Sequence, residues 1–556
     1  MSELSENSNA TRYWPHGIGI FAFACAIAFQ LACAFKPLEY LIGNVFERDD
    51  AYYYFLIAQN LAQSGVATFD GIHLSNGVQL LWTPFLSAIA LIEDDRTQYL
   101  RWVLFLCVAF NVIAGALLYQ TANRYLSRSG ADIALLLFAG LLVERWNSLQ
   151  GMEYSLHLAI IFATLTALHN VLIKGNKGWF FVFGVLLTLN YWTRLDSAIM
   201  SVALWLGVLV YAVRHYPRPE AMGRIVLMTV LPAIGAVGYV LLSYQWGETL
   251  LPISGAAKSY YAERYFEGTD LSRMIIEQVK MWIKINLQAF LVLFPMNILD
   301  FGQARLPSFS PARSDIYVLA LPMVLVGTVF AALLFGRARN AQAMMTAKIL
   351  AMVYFATLIH SAVSVWTLKD FSHVTRHYYG WQAVVWLLFG AMALSLFLRA
   401  LPDKIRWPGG ASVAVVAFVA YGLIGYDFLG RAVPQDDYAI LRYRLAPELD
   451  ELLPDDAVIG AWNAGAVGYF VNRPVINLDG LVNDAAFLEF LKSGAPIQEY
   501  LEQEGITHLV DHNERDLTLR FQESRDTVTE FRDGISWEEV EIVRRSGAIY
   551  VVAYSD

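Results

Sequence analysis

The chain has 556 residues, of which 57% are hydrophobic and only 16% charged, with a mean hydropathy of +0.44. An ordinary soluble domain is about a quarter charged, so this balance excludes a soluble globular enzyme and points to a polytopic α-helical membrane protein. The formal net charge is -9, and no basic stripe offsets it, so nucleic acid is not an expected partner.

The opening MSELSENSNATRYWPHG lacks a basic stretch ahead of a cleavable apolar run, so the first apolar segment reads as a retained span. Expected spans are 17–36, 100–122, 131–146, 152–173, 178–194, 197–214, 224–246, 316–336, 346–366, 380–399 and 410–430. Cys25, Cys33 and Cys107 fall inside these runs without a CxxC spacing, which suits small core residues rather than a disulfide framework. Two further apolar pieces are ambiguous. Segment 78–92 carries Pro84 and is short for a span; segment 282–301 carries Lys284, Asn286, Gln288 and Pro295.

Positive charge arbitrates between them. If both pieces are interfacial helices, Arg124/Arg128, Lys174/Lys177, Arg214/Arg218/Arg224, Arg337/Arg339/Lys348 and Arg399/Lys404/Arg406 all fall on the cytoplasmic side. The expectation is therefore 11 spans, with 13 as the alternative, and the C-terminus outside. The external face then collects loop 37–99, the turns at Glu153 and Arg194/Asp196, loop 247–315, and the turn 367–379 with Lys369, His373, Arg376 and His377. Residues 1–430 form the transmembrane module. From 431 to 556 the chain is strongly charged, with strand-like runs at Ala457–Ile459, Val475–Leu478 and Ala548–Tyr554 and helical patterns at Asp484–Lys492 and Ile497–Glu504. This second part reads as a small extracytoplasmic α/β domain.

The most distinctive stretch is FERDDAYYYFLIAQNLAQSGVATFDGIHLSNGVQLLW, Phe46 to Trp82. Two adjacent carboxylates where a chain leaves the membrane stay wetted or are used. Tyr54, Ile57, Ala58, Leu61 and Ala62 share one helical face, as in a helix lying at the interface. Asp49 has two readings, N-cap of that helix or catalytic group; Asp50, one residue on, is free to face a cavity. Asp70, Asn76 and Gln79 punctuate the loop that follows.

This stretch resembles the GT-C glycosyltransferases, which take sugars from polyprenyl phosphates and include the aminoarabinose transferases, protein O-mannosyltransferases and oligosaccharyltransferases. The likeness is best to a bacterial branch with D-D-x-Y-Y-x-x-x-I-A-x-N, an FDG…TNG…PLW run, a G-M-E turn and an R-x-D turn. Here these read FDGIHLSNGVQLLW, Gly151-Met152-Glu153 and Arg194-Leu195-Asp196, with Gln79 and Leu80 where His and Pro are usual. The branch also carries a WNAGxxGYF…NLDGLVN segment, matched within residues 461–484, so the C-terminal part belongs to the same enzyme.

The resemblance implies a multi-pass protein of the bacterial inner membrane that transfers a sugar, with inversion, from a polyprenyl-phosphate donor. The acceptor would be an envelope glycan, a glycolipid or a protein. It implies Asp50 as general base, or as ligand to a divalent metal, with Asp49 beside it. A sugar on a lipid phosphate already has a good leaving group, so the acceptor hydroxyl chiefly needs a carboxylate to take its proton. The departing phosphate needs donors or positive charge, for which Lys258 and Arg376 are the candidates; Lys258 reads equally as a lipid-headgroup contact. Glu153, Arg194, Asp196, His377 and Tyr378 complete the expected substrate-binding set. Arg194 and Asp196 read first as an ion pair, and Asn463, Asp479 and Asn483 first as turn and cap residues. His373 and His377 have a metal-binding spacing but no third ligand in view. The alternative function is a transporter or flippase of lipid-linked sugars, which should show paired repeats and midplane charges; in this chain the ionisable residues gather at one surface.

Overall fold

The structure is a computed structural model and describes residues 14–46, 49–144, 148–265, 270–291, 341–368, 380–433, 438–511, 540–546 and 549–554. The expected span 316–336, and with it Arg376, His373, His377 and Tyr378, lies outside the described residues.

Fifteen helices precede the α/β part among the described residues. They are α1 (Ile18–Ala34), α2 (Leu38–Asn44), α3 (Asp49–Ser64), α4 (Trp82–Ala90), α5 (Arg96–Tyr125), α6 (Arg128–Glu144), α7 (Tyr154–Lys174), α8 (Lys177–Thr193), α9 (Ser197–His215), α10 (Arg218–Gly247), α11 (Ile253–Tyr265), α12 (Leu271–Leu291), α13 (Ala341–Leu368), α14 (Gly380–Ala400) and α15 (Asp403–Gly430). Among the described residues seven helices are long and apolar enough to cross a membrane, namely α5, α7, α9, α10, α14 and the apolar parts of α13 and α15; α1 is a shorter apolar helix. The protein is an integral, multi-pass membrane protein. A helix is the economical solution for such runs because lipid offers no partner to a free backbone amide.

The two ambiguous pieces differ. Segment 78–92 becomes α4, only nine residues long. Helix α12 begins well before residue 282 and packs on α13 and α14, where the Trp282 indole N–H donates to Ser361 Oγ at 2.9 Å.

The bundle has a sidedness. Arg399 donates to Ser127 Oγ at 3.1 Å, which brings the α5–α6 turn and the end of α14 together. Glu153, Arg194, Asp196 and His360 meet at the opposite end of these helices.

The remaining chain forms α16 (Tyr438–Leu452), β1 (Ile459–Ala461), α17 (Gly465–Phe470), β2 (Val475–Asn477), α18 (Ala485–Ser493), α19 (Ile497–Gln503), β3 (His508–Asp511), β4 (Val540–Ser546) and β5 (Ile549–Tyr554). The sheet order is β2-β1-β3-β5-β4. Strand β1 runs parallel to β2 and β3, while β5 is antiparallel to β3 and β4. The parallel strands are buried on both faces, which is why they read as short continuous apolar runs rather than as alternation.

Two large hydrophobic cores result. One lies within the bundle, around Leu118, Leu158, Phe162, Phe180, Met200 and Leu388. The other is shared between distant parts of the chain: Phe46, Tyr52, Phe55 and Trp82 of the first loop pack with Leu445, Leu449, Val467 and Tyr469 of the α/β part. Rings carry much of that contact. Tyr52 and Phe55 lie 5.6 and 5.8 Å from Tyr469, and Tyr443 lies 4.8 Å from Phe470. The α/β part is thus packed onto the first loop along a continuous core.

Candidate functional site

The site is the seam between the first loop and the α/β part. Helix α3 begins at Asp49, so both acidic residues lie in its first turn, where negative charge suits the helix dipole. The Asp49 carboxylate does not cap its own helix. It accepts from the backbone amides of Gly465 (2.8 Å) and Ala466 (2.9 Å), and the buried Arg442 guanidinium lies 3.4 Å away. Asp50 is partly exposed and makes no hydrogen bond or ion pair among the described residues.

Tyr53, one turn further on, links the acidic pair to the NLDGL loop. Its hydroxyl donates to Asp479 Oδ2 at 3.1 Å and accepts from Asn477 Nδ2 at 3.3 Å. Burial pushes this phenol well above its ordinary range, and the charges of Asp479, Asp49 and Asp50 push in the same direction. Three carboxylates therefore surround one neutral phenol. Asp479 also accepts from the Leu481 amide at 2.8 Å, which holds the turn at Gly480.

Of the other predicted loop residues, the side chains of Asp70 and Asn76 have structural partners, whereas Gln79 Oε1 is buried with no hydrogen-bond partner among the described residues. Asp70 accepts from the amides of Ile72 and His73, both at 2.8 Å, and from the His73 ring at 2.6 Å; His73 Nε2 lies 3.1 Å from Glu504. Burial works to lower His73, but the Asp70 hydrogen bond and the charges of Asp70, Asp484 and Glu504 outweigh it and raise the imidazole to about 9. Asn76 is fully buried. Its side chain donates to Ser243 O and to Thr249 Oγ1, and accepts from the Ile253 amide at 2.8 Å, joining the loop to the end of α10 and the start of α11. The Gln79 carbonyl accepts from the amides of Trp82 and Thr83. Trp82, the first residue of α4, is fully buried, and its indole N–H donates to Gly151 O at 2.8 Å.

A second polar cluster lies at the same end of the bundle. Arg194 pairs with the fully buried Glu153 and with Asp196 at 3.1 Å. His360 approaches Asp196 at 3.6 Å and Gln382 at 3.0 Å, and Ser197 Oγ lies 2.9 Å from His157. Burial works to raise Asp196, yet Arg194 and His360 hold it below the ordinary carboxylate range. The predicted R-x-D pair is an ion pair in the structure, and the G-M-E turn supplies its second acid. Lys258 sits on α11, which packs against α13 and α18.

Sequence reasoning missed Arg442, Tyr53, His73, His157, His360 and Gln382. Only Tyr53 had a local signal, the YYY run directly after the acidic pair. The others are single polar residues in apolar or mixed segments, and their partners lie far away in sequence.

The comparisons bear on this geometry. Among solved structures, the apo oligosaccharyltransferase of Archaeoglobus fulgidus is similar over 93% of this chain and 71% of that one, at 12% identity and a TM-score of 0.56. The chain has the GT-C fold. The same archaeal enzyme in complex with zinc and sulfate is similar over 90% of this chain and 68% of that one, at 13% identity and a TM-score of 0.52. ArnT from Cupriavidus metallidurans bound to undecaprenyl phosphate aligns over 96% of this chain and 97% of that one, at 12% identity and a TM-score of 0.43. Residues 435–552 match a family described as a domain of unknown function (DUF8728). No curated protein matches the chain in sequence.

Among the described residues no group of three His, Cys, Asp or Glu side chains comes together for a metal; Asp49 and Asp50 stand side by side in the first turn of α3, and each Asp49 oxygen accepts one amide.

Proposed function

We propose that this protein is a glycosyltransferase of the external membrane face, moving one sugar from a polyprenyl-phosphate donor to a hydroxyl acceptor with inversion. The observation that carries the reading is Asp50: a partly exposed carboxylate, in the first turn of a rigidly packed helix, in a chain with the GT-C fold. Asp49 is held by Gly465 and Ala466, which leaves Asp50 to accept the proton of the attacking hydroxyl as the anomeric bond to phosphate breaks. The acceptor is an envelope glycan, a glycolipid or a protein. Lys258 and Arg376 stand for the phosphate side, and Asp196, the partly exposed member of the Arg194 cluster, for a sugar contact, with Arg194 and Glu153 holding it in place. The loop-bearing face and the α/β part lie outside the bacterial inner membrane.

Purified protein with a panel of radiolabelled polyprenyl-phosphate sugars and envelope extract tests this. Transfer should fall by about 10²–10⁴-fold in Asp50→Asn, with an unchanged melting profile. Full transfer by that variant would sink the base assignment, and lipid translocation without transfer would favour a flippase. For orientation, the exposed Lys177 and Glu502 are replaced singly by cysteine in intact cells. An impermeant maleimide should label position 502 and spare position 177; the reverse pattern would invert the topology.

A further inference from the structure

We infer that the α/β part contributes positioning residues to the site: the amides of Gly465 and Ala466, with Arg442, hold Asp49 and so fix the direction of Asp50. This rests on the reading of Asp50 as the base.

The contacts are local and directional. Asp49 uses one carboxylate oxygen for each amide, at 2.8 and 2.9 Å, and Arg442 sits beside Oδ1 at 3.4 Å. The Asp49 side chain is 17% exposed and that of Arg442 only 5%, so water competes little for these bonds. The backbones touch as well. A Cβ added to Gly465 would lie 2.2 Å from the Asp49 carbonyl oxygen, a separation no side chain tolerates.

Asp50 is therefore bracketed. On one side Asp49 is pinned to a segment more than 400 positions away. On the other, Ala51 and Tyr52 are fully buried, with the Tyr52 ring tilted against Tyr469. With both flanking residues fixed, the Asp50 backbone has one direction to present its carboxylate, and proton transfer depends steeply on that direction. If the Asp49 contact only fastened the two parts together, its removal would loosen the whole seam. A positioning contact instead affects turnover while the rest of the seam stays closed.

The experiment separates these. Hydrogen exchange is followed in the full-length protein in nanodiscs, over peptides covering 463–470 and 478–484, alongside kcat and KM for the polyprenyl-phosphate sugar that the wild type turns over. In Asp49→Ala, protection at Gly465 and Ala466 should vanish while 478–484, which rests on Gly77, keeps its protection. Its kcat should fall at least about tenfold with the donor KM within about twofold, as for an interaction made in the transition state. Asp49→Asn, which retains one accepting oxygen, should recover part of the loss. Wild-type kcat in Asp49→Ala, rapid exchange of these two amides in the wild type, or loss of protection across both peptides would overturn the positioning role. The two readings fail separately: an active Asp50→Asn removes the base itself, whereas an inactive Asp50→Asn beside a fully active Asp49→Ala removes only the positioning.

Discussion

The helical bundle and the seam between the first loop and the α/β part are held together over different distances along the chain. Within the bundle, some polar side chains bond one turn back on their own helix, as Thr164 does to Ile160 O and Asn170 to Thr166 O on α7, and others reach a neighbouring helix, as Asn111 does to Gln30 and Asn190 to Thr164. At the seam the bonds run between distant segments, Asp49 to Gly465, His73 to Glu504, Asn76 to Ile253. Lipid gives a helix no polar partner, so each span satisfies its own backbone groups and associates by packing and hydrogen bonds between helices. Outside the membrane water competes, and a joint lasts only where several directional bonds and a shared apolar core act together. Each bundle helix satisfies its own backbone ladder; the seam has no meaning without both sides.

That contrast can be broken most severely at Arg194. Arg194→Ala leaves the fully buried Glu153 without its cation, and a broken buried pair costs about 3–5 kcal/mol. Little folded protein should survive purification, and a melting temperature equal to wild type would show that the cluster is not a structural pair. A matched pair of glycines comes next. A Cβ at Gly77 would lie 2.0 Å from the Leu481 carbonyl, whereas one at Gly223 in α10 meets nothing. Gly77→Ala should lose about 1–3 kcal/mol through backbone displacement, while Gly223→Ala should be neutral or gain up to about 1 kcal/mol from helix propensity. Equal effects would mean that the Leu481 carbonyl does not constrain position 77. Asn76→Ala orphans the buried Ile253 amide and should cost about 1–3 kcal/mol, read as faster exchange at the start of α11.

The mildest effect concerns pH. The folded state raises His73 above its unfolded value of 6.5 to about 9. The stabilisation is thus complete below about pH 6.5 and is lost as pH rises through about 9. A His73→Gln variant should melt earlier than wild type at pH 6 and converge with it above pH 10. A constant gap across that range would mean that the imidazolium charge is not what links Asp70 to Glu504.

The spans were readable because each is a self-contained run of apolar residues. The expected 152–173, 178–194, 197–214 and 380–399 correspond to helices with ends within a few residues of those positions. In the α/β part, Val475–Leu478 and Asp484–Lys492 were also visible, while α16 and α17 were not, because their apolar positions answer to α3 and the first loop rather than to one another. The acidic pair itself stood out from local sequence and charge.

What Asp49 and Asp50 each do was not decided there. A carboxylate at the start of a helix can cap its own amides or another segment's, and the choice depends on which donors arrive beside it. Gly465 and Ala466 arrive only when the chain's end folds back on its beginning. Composition and period determined the membrane class, most of the helices and the acidic loop, because those follow from each segment's own exchange with lipid or water. The donors that meet Asp49, the Arg194 ion cluster and the burial of Trp82 follow from contacts between segments that no local pattern encodes.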